Sequence, residues 1–418
     1  MYSISGEGAQ ILSRIHNEGN EVGLYIDDPI YANVFDGILP KVKNCEDFID
    51  KNTVIIFDIS GNGKYADELR RKGHFVYGAS SFADNLEHDR NFGFKMMRKA
   101  GIQIPPYMEF KSFPDGISYA KEHKERLVFK PNGNMPCKLT YVSDDTEQLI
   151  AYLNFVEKRF GKDIDSFILQ DFIEGLVISS EIFCSNGEFV WPANHTIEVK
   201  KSMNDDLGPS TGCSGNITWN CMSDIVKDGV FKAKSFIREQ QYTGQIDLNA
   251  VVNEKGVYGL EWTPRFGYDA TPTYLRLLKD DFGKFFSDCT RGDVSIISHS
   301  NDYAASVRLS IPPYPMEAKT GVDTEKVSPN EGIPIQGWEK EQENLYFYEV
   351  MLENEQLVHS GGTGVICLGL SEDSNAEKAV EQSYDILEGI KVPDKQYRTD
   401  LAKYFKEKVE EFNTYVPD

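Results

Sequence analysis

The chain has 418 residues, 40% of them hydrophobic and 12% aromatic, which predicts a folded protein of about two to four domains and excludes intrinsic disorder. Its 44 basic residues face 66 acidic ones, a formal charge of -22, which excludes an exposed nucleic-acid or anionic-membrane surface and still allows a local basic pocket. Seven scattered cysteines without a C-x-x-C pair, no signal peptide and no apolar run of membrane-spanning length predict free thiols in a cytoplasmic protein.

Residues 1–27 read as a strand, a glycine turn at Gly6 and Gly8, an amphipathic helix and a second strand; backbone N–H groups at such a turn can face a phosphate or an adenylate. The strand TVIIFDI ends at Ser60-Gly61-Asn62-Gly63-Lys64, which reads as a plain strand-to-helix turn in preference to an anion site. A helix and the strand HFVYGAS follow. Strands alternating with helices at this spacing predict a doubly wound parallel sheet over about a hundred residues. One helix is expected over Asn85–Ala100, carrying Arg90 and Lys95 and ended by Gly-Ile-Gln-Ile-Pro-Pro.

Residues 126–142 form a strand, a loop around Gly133 and a second strand, with Lys130 and Lys138 placed as point charges for nucleotide phosphates. After a helix over 145–160, a strand from Phe167 to Phe172 ends where its backbone can meet an adenine edge. The segment EVKKSMNDDLGPSTGCSG (198–215) is the longest Gly, Ser, Asp and Asn-rich stretch and is expected to be a functional loop. Lys200 and Lys201 lie at its head, and Gly208, Thr211, Gly212 and Gly215 allow close backbone approach to a ligand. Cys213 reads as a filler and not as a nucleophile.

Residues 244–269 read as two strands, 245–252 and 257–262, around a turn at 253–256. Alternation puts Asp247 and Asn249 on one face, where Glu261 can join them from the partner strand, an oxygen set suited to magnesium. A Pro-Arg-Phe-Gly turn holds Arg265 beside them, where an anion would sit. From about residue 300, the strands SVRLSI, LYFYEVML and GVICLGL precede helices over 375–389 and 399–412.

Taken in order, these features resemble the ATP-grasp superfamily, and most closely glycinamide ribonucleotide synthetase (phosphoribosylamine–glycine ligase), over nearly the whole chain. VKKSMNDDLGPSTGCSG keeps the spacing of the family's H-K-R and D-x-G-P-N-T-G-G-M-G stretch, and E-W-T-P-R-F-G-Y-D-A looks like its E-F-N-x-R-F-G-D-P-E. LEHDRNFGFKMMRKAGIQIP is similar to its L-E-G-S-K-x-F-x-K helix, with Arg90 and Lys95 at the two lysines. SGGTGVICLGL and Tyr397-Arg398-Thr399-Asp400 resemble its S-G-G-R-V-L and Y-R-R-D stretches.

The resemblance implies an α/β ATP-grasp fold. Residues 1–100 would form the Rossmann-like pre-ATP-grasp domain, 101–300 the ATP-grasp domain with 120–190 as its lid, and 301–418 a small C-terminal α+β domain. It implies a ligase in which a carboxylate takes the γ-phosphate of ATP and an amine then displaces phosphate from the acyl phosphate. In this picture ATP is held by Arg90, Lys95, Lys130, Lys138, Gln170, Asp171, Phe172, Ile173 and Glu181. Mg²⁺, with Mn²⁺ as a substitute, is held by Glu261 with Asp247, Asn249 and Thr263. Arg265 stabilises the acyl phosphate, and Lys200, Lys201, Thr211 and Gly212 belong to the loop that covers the acceptor side. The substrates are a small carboxylate, glycine or another amino acid, and an amine, in a monomer or homodimer with no nucleic-acid or membrane partner.

Several positions depart from the family pattern. Thr263 replaces the asparagine that shares the metal, Thr363 replaces an arginine, and Gly-Glu-Gly-Ala-Gln and Ser-Gly-Asn-Gly-Lys replace the N-terminal G-G-R-E-H-A and P-E-x-P-L motifs. Those N-terminal motifs belong to the amine-substrate region, so an altered amine is expected. A nucleotide-binding protein without ligase activity, or a kinase or carboxylase on the same scaffold, are the alternatives.

Overall fold

Four short strands, β1 (Tyr2–Ser3), β2 (Tyr25–Ile26), β3 (Val54–Ile56) and β4 (Phe75–Tyr77), pair in parallel as β1–β2 and β3–β4. A parallel bridge from Tyr2 to Phe57 joins the two pairs into the N-terminal layer of the computed structural model, which describes residues 1–123, 125–132, 139–315 and 329–416. Helices α1 (Ala9–Asn17) and α2 (Gly63–Arg71) make the crossovers that parallel strands require.

Two helices, α3 (Ser81–His88) and α4 (Arg90–Ala100), replace the single one expected over 85–100. The break falls at Asp89, whose backbone is extended and whose carboxylate accepts from Phe92 N at 3.0 Å, capping α4. Arg90 therefore stands at the first position of a helix instead of on a mid-helix face. Gly101, at φ +77°, ends α4 in the left-handed conformation.

The next sheet has the order β5–β8–β6–β7, from β5 (Tyr107–Phe110), β6 (Leu127–Pro131), β7 (Tyr141–Val142) and β8 (Phe167–Asp171), all antiparallel. It carries α5 (Phe113–Glu122) and α6 (Thr146–Phe160), capped by Ser112 and Asp145. Phe113, Phe129, Leu149, Leu153 and Phe167 form a core separate from the main one, so the unit where the lid is expected has its own packing.

The main sheet has eight strands in the order β13–β12–β9–β10–β11–β14–β18–β15. Its members are β9 (Leu176–Ser185), β10 (Glu188–Lys201), β11 (Ser210–Asn220), β12 (Gly244–Asn253), β13 (Gly256–Thr263), β14 (Tyr303–Ser310), β15 (Leu345–Phe347) and β18 (Val365–Asp373). Helices α7 (Asp224–Asp228), α8 (Lys234–Glu239), α9 (Ala270–Leu277) and α10 (Phe282–Arg291) link its strands. A ribbon of β16 (Val350–Glu353) and β17 (Gln356–His359) leaves the sheet, and α11 (Ala376–Glu388) packs on β14 and β18 with α12 (Leu401–Tyr415) beside it. The sheet runs unbroken from β11 into β14, so the expected boundary at 300/301 lies within one continuous layer. No helix among the described residues is long and apolar enough to cross a membrane.

Two expectations change at this level. The segment 198–215 is not a free loop: β10 and β11 pair from Asn194↔Asn220 to Lys201↔Ser210, which leaves 202–209 as the tip of a hairpin. The strand expected over 345–352 splits into β15 and β16. The split comes at Glu349, whose carboxylate accepts from the backbone of Thr363, Gly364 and Val365 and so turns the chain out of the sheet.

Phe167 anchors the lid core, with ring centroids 4.7 Å from Phe113 and 5.2 Å from Phe129. A Cβ at Gly116 would lie 2.7 Å from its ring. Phe167→Ala is expected to cost about 3–5 kcal/mol of lid stability. Hydrogen exchange should then speed up across 107–171 and stay unchanged in the eight-stranded sheet; equal acceleration in both would show that the lid is not a separate unit.

Candidate active site

The β12–β13 hairpin sets Asp247 opposite Thr263 and Asn249 opposite Glu261, so the four residues expected to serve a metal are neighbours on one face. Asp247 Oδ2 accepts from Thr263 Oγ1 at 2.7 Å and from Asn249 Nδ2 at 2.8 Å, and Asn249 also donates to Thr263 Oγ1 at 2.9 Å. Asn249 Oδ1 accepts from Ser179 at 3.0 Å. Thr263 and Asn249 thus orient Asp247, whose Oδ1 is buried without a hydrogen-bond partner. Glu261 is the exposed member of the set. Among the described residues no three His, Cys, Asp or Glu side chains form a metal cage. Two carboxylates, one with a buried unpaired oxygen, do fit a magnesium ion whose other ligands are phosphate oxygens and waters.

Two further acids share this face. Glu181 on β9 pairs in register with Asp247 and with Asn194 of β10, accepts from the Gln245 amide, and is only 2% exposed. Glu198 lies on β10 two residues before Lys200. Burial and the neighbouring acids push Glu181 well above the usual carboxylate range, and burial raises Glu198. Asp247 rises to about 7, through burial first and then Glu198 and Glu261, against the Thr263 hydrogen bond and Arg265. Glu261 goes the other way. Its depth would raise it, but Lys200, Lys130, Arg90 and Arg265 together hold it below its ordinary value.

Those cations come from four separate elements. Lys130 lies on lid strand β6, and burial, with Arg90 and Lys200 nearby, lowers it to about 8. Arg90 reaches the Pro131 carbonyl at 3.4 Å, tying α4 to the lid. Lys200 sits at the irregularity in β10 between Val199 and Lys201, where a bulge re-aims a side chain, while Lys201 turns back to the Gly208 carbonyl at 3.1 Å. Lys95 is exposed on α4 and is not among the cations that act most strongly on Glu261. Lys138 lies outside the described residues.

Arg265 joins the two sides of the site. Its Nε donates to Glu87 of α3 at 3.1 Å and its Nη1 to the Phe266 carbonyl at 2.9 Å, and its guanidinium lies 4.7 Å from the Tyr268 ring centroid. It also acts on Glu7 of the N-terminal turn. Next to it Arg308 of β14 binds both oxygens of Asp269, and Tyr348 donates to Asp269 Oδ1 at 2.8 Å. Sequence reasoning missed Glu87, Glu7, Glu198 and the Asp269–Arg308–Tyr348 group. Only Glu198 left a signal, its spacing of two from Lys200; the others are brought in from distant parts of the chain.

Gln170 to Ile173 form the crossing from β8 to β9, between lid and main sheet. The Gln170 side chain is buried and its Nε2 has no hydrogen-bond partner. Asp171 N donates to Pro106, Phe172 N donates to Arg126, and Arg126 stacks 4.0 Å from the Phe172 ring centroid. Asp171 pairs with His123 at 3.1 Å. Glu181 stands with the acids of the main sheet and not at this crossing.

The β10–β11 hairpin is clamped by residues near the C-terminus. Arg398, with its side chain 1% exposed, donates to the Lys201 carbonyl at 3.2 Å, to Asp206 at 2.7 Å and to Asp400. Asn204 exchanges hydrogen bonds with Thr399, and Asp205 N donates to Asp400 at 2.9 Å. Thr211 Oγ1 donates to the Lys200 carbonyl at 2.9 Å, and Gly212 leaves room for Tyr268, whose ring a Cβ would meet at 3.3 Å.

Residues 88–271 match the family model of the phosphoribosylglycinamide synthetase ATP-grasp (A) domain. The phosphoribosylamine–glycine ligase of Clostridium acetobutylicum is 25% identical over 385 residues, 87% of this chain and 88% of that one. Among solved structures, the phosphoribosylamine–glycine ligase of Thermotoga maritima superposes with a TM-score of 0.75 at 19% identity, covering 96% of this chain and 98% of that one. The biotin carboxylase domain of Hydrogenobacter thermophilus 2-oxoglutarate carboxylase superposes at 0.63 and 15% identity, covering 99% and 95%.

Two outcomes follow from this geometry. Lys130 is cationic below its pKa of about 8, so a role on phosphates is lost as pH rises through that value. The kcat/KM for ATP should fall above pH 8, and Lys130→Arg should move that limb to higher pH; an unmoved limb would assign it to another group. Arg398→Ala frees the hairpin tip, and uncoupled ATP hydrolysis measured without acceptor should rise by about threefold or more. Unchanged hydrolysis would show that the clamp does not shield the site.

Proposed function

We propose that this chain, an ATP-grasp protein related to the phosphoribosylamine–glycine ligases, is an ATP-dependent carboxylate–amine ligase that makes an amide through an acyl phosphate and takes an altered amine. The observation that supports this most directly is Glu261, kept ionised by Lys130, Arg90, Lys200 and Arg265 between lid and main sheet. Phosphoryl transfer needs positioned charge more than covalent help from the protein.

Each part then has a role. The backbone of Gln170–Ile173 receives the adenine edge, while Lys130 and Arg90 neutralise the phosphates from the lid side. Glu261 and Asp247, the latter oriented by Asn249 and Thr263, would hold Mg²⁺, which would supply Lewis-acid neutralisation of the phosphate oxygens. Mn²⁺ suits the same oxygen donors and is expected to substitute. A small carboxylate, glycine or another amino acid, attacks the γ-phosphorus and ADP leaves. Arg265 faces the charge that develops on the acyl phosphate. The β10–β11 hairpin, with Lys200, Thr211 and Gly212, covers the acceptor side against water. The amine then attacks the acyl carbon, inorganic phosphate leaves, and the amine nitrogen releases its proton. The altered N-terminal motifs and Thr363 support an acceptor other than phosphoribosylamine.

Glu261→Gln and Arg265→Lys should each lower kcat by on the order of a hundredfold while Tm changes little. ADP release and trapping of the acyl phosphate by hydroxylamine, across a panel of amino acids, measure this. Full turnover per folded molecule in either variant would remove that residue from the mechanism. ATP binding by calorimetry that ignores Glu261→Gln, with no ADP released, would identify a nucleotide-binding protein instead.

A further inference from the structure

Three glycine-bearing turns offer the backbone N–H groups that a phosphate ester would use, and each is filled by a carboxylate of the chain itself. At the first turn Gly8 N donates to Asp58 Oδ2 at 2.8 Å; Ser3 Oγ donates to the same oxygen at 2.6 Å, and Gly6 N to Ser3 Oγ at 2.7 Å. At Ser60–Lys64, Gly61 N and Gly63 N donate to the two oxygens of Asp84, both at 2.8 Å. At the C-terminal turn, Thr363 N donates to Glu349 Oε1 at 3.1 Å, and Gly364 N and Val365 N donate to Oε2 at 2.7 and 3.0 Å.

The glycines serve these acids. A Cβ at Gly8 would lie 2.9 Å from Asp58 Cβ, and one at Gly362 would lie 2.8 Å from Glu349 Cδ. A helix or turn N-terminus attracts a phosphate because its N–H dipoles are unpaired. Here the dipoles are already paired with carboxyl oxygens of the chain, so a dianion would have to displace one of these acids or lie against it. Asp58 is 1% exposed, and its second oxygen is buried without a partner.

Arg308 is committed to Asp269 and Arg265 to Glu87. Glu7, between Gly6 and Gly8, is half-buried, and no hydrogen bond or ion pair from a described residue reaches its carboxylate. Burial first, and then Asp58, push its carboxyl up to about 7 against the pull of Arg265 and Arg308, and Tyr31 lies where both Glu7 and Glu349 act on it. Phe266 N donates to the Asp58 carbonyl at 3.2 Å while Asp58 Oδ2 accepts from Gly8 N, which sets the turn of Glu7 beside the turn of the arginine assigned to the acyl phosphate.

Resting on the carboxylate–amine ligase reading, we infer that the acceptor is a phosphate-free amine bound in its ammonium form, with Glu7 as the specificity-determining contact; the ammonium gives one proton to solvent before its nitrogen attacks and a second as the amide forms. The test uses the full chain with ATP and Mg²⁺ and a donor carboxylate identified by hydroxamate formation with hydroxylamine. Acceptors are supplied in pairs, ethanolamine with phosphoethanolamine and ribosylamine with phosphoribosylamine, with putrescine added, and amides are read by mass spectrometry. The phosphate-free partner should have the higher kcat/KM by about tenfold or more, and Glu7→Gln should raise its KM by a similar factor, more than it lowers kcat. A phosphorylated partner used equally well or better overturns the inference. So does hydroxamate formation with no amide from any phosphate-free amine. A Glu7→Gln effect confined to kcat and Tm would give Glu7 a structural role and overturn its assignment. If no carboxylate yields a hydroxamate, the ligase reading itself fails and this inference goes with it.

Discussion

Repulsion among acids on one sheet face is the constraint that the rest of the site answers. Glu181, Glu198, Asp247 and Glu261 project from β9, β10, β12 and β13, and strand register holds the first and third directly opposite one another. Adjacent like charges cannot all ionise in a buried layer. Burial settles part of the conflict by raising Glu181, Glu198 and Asp247. For Glu261 the compensating charge comes from outside this row of acids: the lid gives Lys130, α4 gives Arg90, the bulge in β10 gives Lys200, and the turn after β13 gives Arg265. The position of the lid and the ionisation of Glu261 are therefore linked. Withdrawing Lys130 would weaken the field that keeps the carboxylate charged.

Arg265 carries this linkage to α3. Its partner Glu87 lies on α3, and the break at Asp89 between α3 and α4 sets Glu87 and Arg90 at the ends of two helices that can point differently. One unbroken helix would hold these two charges in a single fixed relation, three residues apart on one face. The capping carboxylate thus acts on the site indirectly, by letting α3 serve Arg265 while α4 serves the lid.

Much of this was readable from residue order. The alternation in β12 and β13 and the parallel N-terminal layer are local consequences of periodicity. The gathering of Asp247, Asn249, Glu261 and Thr263 follows from one tight turn, which fixes register over a short span. Polar composition misled at 198–215, where Gly and Ser residues sit in strands because β10 and β11 carry their mutual pairing on as far as Lys201 and Ser210. The split at Tyr348–Glu349 was hidden because its cause, a carboxylate capping Thr363 to Val365, lies beyond the strand itself. The Asp269–Arg308 pair spans 39 residues and Arg265–Glu87 spans 178; no local pattern encodes such contacts.

The glycine turns show most clearly where local reading stops. A turn whose N–H groups point outward is chemically the same whether a phosphate or a carboxylate fills it. What decides is whether the fold brings an acid within reach, and here the acids arrive from 50 residues away for Gly8, 21 to 23 for Gly63 and Gly61, and 14 to 16 for Thr363 to Val365. A tethered acid acts at high effective concentration and has already lost its freedom on folding, so a diffusing phosphate competes at an entropic disadvantage. Turns satisfied in this way stabilise the fold without ligand. The affinity for an acceptor must then come from side chains that remain uncommitted, and beside Arg265 that description fits Glu7.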